Sequence, residues 1–540
     1  TQTMMFNAQF DYHRTFANHH NVQAAFLGWG FQQQNSADGD HDGSDYHRLS
    51  NVNLGIQAAY NYKHRYYFDF SGAVVHSAKL PEGNRNAFSP TVTLGWRLSD
   101  EKFFKENIEF MNNLKFSASY GVLNQDIDIS DYYMYKGYFR TDAGWYPWND
   151  GTAGGNAAAS ARGDNMDLGF IQRKELRVGL EAALFNNAIV LDANYFHQDT
   201  EGKLSQGKNT IYPSFFASNN FNQLSYTNYE NDRRQGVDLS LQLNKKIGQV
   251  EAQLGLLGTI AWSEALRRDE VYEDSYQYRT GRALDASFAY VCEGFFKDQA
   301  DIDSHADQTL IQSSSKRITY PGDVKIKDLN GDHVIDYGNN TVDDHGDKTV
   351  IGNALPRYAY SINLSGDWNN FFLSAFFQGV GKQDWYPSSE CIFWGQYNRP
   401  YNNMPTWHQG NYWTEDNTDA YLPRYAGYNA SLKSTPQTRY LQNVAYIRLK
   451  NLQFGYTLPQ PIVSKAKLQN VRVYISAENL WCWSPLYKHT RDLDVTNIYG
   501  SDPDLTDADM SSGLNGNRGS GDGNSYPQMK SVSLGLSVTF

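Results

Sequence analysis

Asp328, Asn330, Asp332 and Asp336 lie in the run DLNGDHVID and place oxygen donors at the first, third, fifth and ninth positions of a turn-rich loop. That spacing resembles the EF-hand scheme for calcium, a hard cation held by several carboxylate and carbonyl oxygens on a flexible turn. Asp343, Asp344 and Asp347 add negative charge nearby. Two positions depart from the scheme: His333 stands sixth, where glycine makes the sharp turn, and Asn339 stands twelfth, where a bidentate glutamate is wanted. The competing reading is a polar loop without metal; no cofactor is required, and calcium in the 328–336 loop is the one candidate.

Aromatic side chains form a second set: Trp145, Tyr146 and Trp148; Trp385, Tyr386 and Trp394; Trp407 and Trp413. Ring faces pack on the apolar face of a sugar while neighbouring Asn, Asp and Arg groups meet its hydroxyls, so these are the candidate substrate contacts. Packing within the loops, or contact with a protein partner, would use the same residues. Trp481 and Trp483, at a strand end, read as an interfacial girdle. No GxSxG, HExxH or CxxC run is present, and the glycine-rich stretch near residue 151 does not lead from a strand into a helix as a phosphate loop does. An enzyme is not expected.

The elements that must position these residues are strands. Val532, Leu534, Leu536, Val538 and Phe540 alternate with Ser531, Ser533, Gly535, Ser537 and Thr539, giving one apolar face and one small polar face. Ten tilted residues rise about 24 Å, close to the apolar band of an outer-membrane barrel. Similar alternation recurs about fifteen times. Turns near residues 18, 63, 105, 187, 247, 369 and 463 interleave with long loops at 34–49, 77–87, 123–171, 201–232, 263–354, 382–439 and 482–525. This short and long parity predicts an all-β, transmembrane antiparallel β-barrel with its long loops outside the cell. A soluble β-sandwich has no need of it. Asn186 and Asn187 suit a two-residue hairpin turn. In 445–458 the apolar phase slips from odd Ile447 and Leu449 to even Leu452, Phe454 and Tyr456, which predicts a bulge near Lys450 and Asn451. Residues 150–161, DGTAGGNAAASA, read as a flexible loop tip.

Composition agrees. Aromatics make up 15% of the 540 residues, with 38 Tyr, yet mean hydropathy is −0.63. Many rings with overall polarity suit girdles, a wet interior and polar loops. No run reaches the roughly 18 apolar residues of a membrane helix. A net charge of −12 argues against nucleic acid. Cys292, Cys391 and Cys482 match no zinc spacing and allow one disulfide at most. The opening TQTMMFNAQF has neither the basic flank nor the apolar core of a signal peptide, so a leading part is expected upstream.

Several stretches resemble the SusC-type TonB-dependent outer-membrane transporters. They are YIRLKNLQFGYTLP from Tyr446, VRVYISAENL from Val471, PGDVKIKDLNGDHVID from Pro321, KTVIGNALPRYAYSINLSGDW from Lys348, LSAFFQGVGKQDWY from Leu373, TLGWRLSDEKFF from Thr93, and the ending YPQMKSVSLGLSVTF. HSAKLP from His76 departs from the family's Asp-Gly-Ser-type run. The resemblance implies a barrel of roughly 22 strands closed by a plug, of which residues 1–540 would be the C-terminal portion, with plug and first strands absent. It further implies a SusD-like surface lipoprotein, the TonB complex and outer-membrane lipid as partners. It makes TonB-dependent import of oligosaccharides the expected function, with an oligopeptide importer, a passive porin or a surface adhesin as alternatives.

Overall fold

The computed structural model describes residues 2–34, 49–129, 132–141, 144–148, 151, 153–207, 217–218, 221–311, 318–338, 345–387, 391–397, 403–425, 435–498 and 528–540. Fifteen strands dominate: β1 (Gln2–Phe16), β2 (His20–Gln34), β3 (Leu49–Tyr62), β4 (Tyr66–His76), β5 (Asn86–Arg97), β6 (Met111–Gln125), β7 (Ile171–Leu184), β8 (Ile189–Ser205), β9 (Thr227–Ile247), β10 (Val250–Arg267), β11 (Tyr358–Trp368), β12 (Phe371–Val380), β13 (Tyr446–Thr457), β14 (Asn470–Trp483) and β15 (Ser531–Thr539). They follow one another in chain order in one sheet, and neighbours from β1 to β8 and from β10 to β15 pair antiparallel. Contacts divide the chain into two units, Thr1–Val237 with Trp262–Val271, and Asp238–Ala261 with Tyr272–Phe540.

Register turns the alternation of single strands into rows. In the first unit Tyr60, Phe68, Leu94, Ala118, Val178 and Tyr195 lie side by side on β3 to β8. The next row toward the turns holds Tyr62, Tyr66, Trp96, Phe116, Leu180 and Ala193. In the second unit Ala252, Gly366, Leu373, Phe454, Ile475 and Leu534 form one row, and Val250, Trp368, Phe371, Tyr456, Val473 and Leu536 form its turn-side neighbour. Most of the larger of these side chains are exposed, Leu534 by 78%, with Tyr62 and Tyr456 half-buried. Continuous apolar rows far exceed the patches that water tolerates on a monomer, so this face meets lipid. The other face of the first unit is polar, with Gln57, Ser71 and Thr91 in one row and Asn61, Tyr67 and Ser117 in another.

Turn chemistry sets this register. Four hairpins place their central residues at positive φ: Ala17 and Asn18, Lys63 and His64, Asn186 and Asn187, Asn369 and Asn370, with Phe185 before the third pair also positive at 52°. In three of them a backbone hydrogen bond closes the turn, Ala188 N to Phe185 O at 3.2 Å in the third. Positive φ at both central residues is the type I′ requirement, and asparagine bears it at lower cost than most side chains. The expected bulge is present: pairing passes from Leu449 to Asn451 against both neighbouring strands, leaving Lys450 unpaired, while Asn479 on β14 takes φ 52°.

Two loops differ from expectation. Residues 201–232 were expected to be loop, but β8 continues to Ser205 and β9 begins at Thr227. Cross-strand charge pairs tie these extensions together: Arg233 to Asp199 at 2.8 Å, Lys203 to Asp232 at 3.0 Å, and Arg268 to Asp232. The glycine-rich run is paired too, Ala153–Asn156 with Trp145–Trp148, and Ala159–Arg162 with Tyr138–Arg140. Gly154 permits this because the Trp145 indole lies on it; a Cβ there would come within 1.9 Å of the ring. The three cysteines are free thiols.

The lipid assignment is open to a paired test. Ile56→Arg, on the apolar face of β3, is expected to lower unfolding stability in bilayers by about 2–4 kcal/mol near the midplane. Gln57→Arg, one residue on and facing the other way, should change it by less than about 0.5 kcal/mol. Equal costs in urea titrations would remove the membrane assignment of this face.

Candidate functional site

The long loops of the second unit build a core of their own. Trp385, Phe393, Trp394, Tyr397, Leu422, Tyr440, Val444, Leu486 and Val495 are buried together, with Tyr386 and Trp407 packed against them. Trp394 is fully buried, edge-on to Tyr440 at 5.3 Å and to Phe393 at 5.0 Å, and its Nε1 donates to Pro387 O at 3.2 Å. Trp407 packs on Phe393 at 4.9 Å. Trp413 is buried by its contact with Gly322, and its backbone N–H donates to Leu422 O at 2.9 Å. Burial pushes the Tyr386 phenol up. Of the candidate aromatics, Trp385, Tyr386, Trp394, Trp407 and Trp413 thus face the loop interior. Trp145 and Tyr146, in the first unit, are 60% and 50% exposed on the hairpin whose strand also contains Trp148. Trp481 and Trp483 are exposed on β14, opposite Leu449 and Ile447, where a girdle was expected.

Polar side chains fasten this loop core to the strands, and sequence inspection did not single them out. Arg448 and Asp494, both buried, form an ion pair, and the Gln528 side chain accepts from Arg448 at 3.2 Å and from Lys450 at 2.7 Å. Arg439 donates to Ala420 O at 2.6 Å and to Tyr421 O at 2.9 Å while lying over the Phe295 ring. Arg424 pairs with Asp323 at 2.6 Å. His408 is fully buried: Nε2–H donates to Phe393 O at 2.9 Å, Nδ1 faces no partner, and burial pulls its pKa down to about 4.

The acidic loop is a tight turn. Asp328 accepts from the backbone N–H groups of Gly331 and His333 at 2.7 and 3.0 Å, and Asp332 from Val334 at 2.8 Å. Asn330 accepts from Asp332 N at 3.1 Å, and Asp336 from Gly338 N at 2.8 Å. His333 adopts φ 66°, taking the left-handed conformation that glycine provides in the calcium scheme. Asp347 is buried, accepts from Leu329 and Asp336, and has its pKa raised by burial. Asn339, Asp343 and Asp344 lie outside the described residues. Among the described residues no group of three or more His, Cys, Asp or Glu side chains is arranged to hold a metal.

No family model matches the chain. It is 25% identical over 496 residues to the TonB-dependent receptor P3 of Formosa agariphila, covering 89% of this chain and 44% of that receptor. It is 20% identical over 496 residues to the TonB-dependent receptor SusC of Bacteroides thetaiotaomicron, covering 89% of this chain and 43% of SusC. The RagAB peptide importer in its open-open state superposes with a TM-score of 0.66 at 16% identity, over all of this chain and 54% of that one. This chain is similar to the SusC-type TonB-dependent receptors. It spans about half the length of the curated relatives it matches. The SusC-type fold identifies the apolar rows as the outside of an outer-membrane β-barrel, and the relatives are receptors and importers rather than enzymes.

Two measurements bear on this site. His408 is neutral when folded and binds a proton more readily when unfolded, so its contribution is complete above about pH 6.5 and is lost as pH falls toward about 4. Thermal melts across that window should show the loop core losing up to about 3 kcal/mol, and His408→Gln should flatten the dependence; an unchanged slope would exclude His408 as its source. Calcium at Asp328, Asn330, Asp332 and Asp336 is a proposal from donor chemistry, and the ion would compete with backbone N–H groups for the same oxygens. It requires a saturable calorimetric heat in the intact protein that Asp332→Ala abolishes.

Proposed function

We propose that this chain forms the barrel portion of a TonB-dependent importer that takes up oligosaccharides, with a SusD-like lipoprotein closing substrate over the extracellular loops. The observation that carries the glycan reading is the polar face of β2 to β6. Asn21, Gln23, Asn61, Thr93, Ser117 and Ser119 on that face offer neutral amide and hydroxyl groups that both donate and accept, and Asp69, in the row of Gln23 and Thr93, adds one carboxylate acceptor; such a set matches a hydroxylated solute. Asn21 donates to Asn61 at 2.8 Å, so part of this face is already organised. Exposed Trp145 and Tyr146 add ring faces for the apolar side of a sugar. An oligopeptide is the second reading, favoured by the likeness to RagAB, which is named a peptide importer. A passive porin or adhesin would use the same barrel without TonB.

The test uses the intact protein in its membrane. Uptake of a fluorescent oligosaccharide should vanish in cells lacking TonB, whereas persistence would favour the passive porin. In calorimetry, Trp145→Phe, which keeps a ring on Gly154 but offers a smaller stacking face, should weaken oligosaccharide binding several-fold. Trp394→Ala should instead lower stability by about 3–5 kcal/mol. Saturable binding of oligopeptides with none of oligosaccharides would overturn the glycan reading.

A further inference from the structure

The lipid-facing wall of the first unit is not evenly filled. Phe68, Leu94, Trp96, Phe116 and Val178 stand exposed around a hollow of about 530 Å³ whose lining is almost wholly apolar. Ala118 lies in register between Leu94 and Val178, and its single methyl group leaves the gap between those longer side chains. Such a lining gives water no hydrogen-bond partners, and an unfilled hollow forfeits dispersion contacts. The medium on this face supplies flexible acyl chains that can fill it. Within a bilayer no hydrophobic gain separates one chain from another, so fit in the hollow and contacts of the headgroup must supply any preference.

The polar contacts lie at its turn side. Tyr66 and Trp96 belong to the lining and carry their polar tips to one carboxylate. Glu101 accepts from Tyr66 Oη at 2.6 Å and from Trp96 Nε1 at 3.4 Å, and Arg65 Nη1 lies 3.5 Å from its other oxygen. Tyr66 opens β4 and Trp96 is the penultimate residue of β5, so the hollow lies beside the short turns, in the periplasmic leaflet of an outer-membrane barrel. The two connections also carry Lys63, Arg97, Lys102 and Lys105 against Asp100, Glu106 and Glu109. Asp100 pairs with Lys105 at 2.9 Å and with Arg97 at 3.8 Å. Cations and carboxylates are therefore near balance, which complements a headgroup bearing both charges rather than a net negative one.

We infer that the hollow holds an acyl chain of a zwitterionic phospholipid with a primary ammonium group, the ammonium on Glu101 and the phosphate toward Arg65. A carboxylate accepts at about four positions, so Glu101 can receive an ammonium N–H beside its present donors, and a guanidinium keeps N–H groups for a phosphate. A quaternary ammonium has no N–H to donate. This site is independent of what the barrel imports.

Native mass spectrometry of the intact protein, supplied with defined lipids in detergent, is the test. Phosphatidylethanolamine should be held about ten-fold more tightly than phosphatidylcholine of the same chains, the worth of one charge-assisted hydrogen bond. Glu101→Gln should bring the two lipids within about two-fold of each other. Ala118→Phe, which fills the hollow from the lipid side and leaves Glu101 in place, should weaken both by a similar factor. Equal retention of the two lipids by the unaltered protein, or undiminished retention by Ala118→Phe, would overturn the site. Tighter retention of phosphatidylglycerol would overturn the zwitterionic headgroup. If Ala118→Phe shifts the thermal melt, Glu101→Gln decides, because its readout is a ratio between two lipids on one protein.

Discussion

Backbone pairing in a medium without water is the constraint on which the rest depends. Within hydrocarbon every N–H and C=O group needs a partner from the protein, so a chain of short alternating segments is stable only as one continuous ladder. Between the end strands β1 and β15, each of which pairs on one side only, the registers meet that demand, and by meeting it they align apolar side chains from neighbouring strands into rows. In the second unit Leu373, Phe454, Ile475 and Leu534 share a row because three successive pairings are in phase. A slip of one residue would turn a whole strand's apolar set away from lipid. The unpaired Lys450 lets β13 change phase without that cost.

The fold was legible because a strand advertises itself with period two. All fifteen strands, the Asn186 and Asn187 turn and the Lys450 bulge follow from alternation and turn chemistry. The ends of β8 and β9 did not, because their extensions rest on Arg233, Asp199, Lys203 and Asp232, charges whose pairing requires spatial neighbours that no local window contains. The paired state of residues 153–156 depends on Gly154 receiving the Trp145 ring, again a matter of contact rather than composition.

The loops were less legible for a related reason. Tryptophan in an irregular segment has no period to say which way it faces. Trp394 and Trp145 look alike in sequence, yet one is the centre of a dry cluster and the other lies open. His408 carried no motif at all. Its character comes from what surrounds it, a carbonyl and aromatic rings. SusC-type similarity supplies the fold and the membrane, while these surroundings are visible only in the structure.

The turns with two residues at positive φ have a kinetic side. Each joins strands adjacent in sequence through a very short connection, and closing a short hairpin takes roughly microseconds. Loops of many tens of residues add only a logarithmic entropy to closure, but the non-local pairings they delay are the slow ones. The pairs β1 with β2, β3 with β4, β7 with β8, and β11 with β12 therefore form natural assembly modules. Ordered this way, the chain presents the membrane with preformed two-stranded ribbons, and the long loops act as tethers that bring one ribbon to the next.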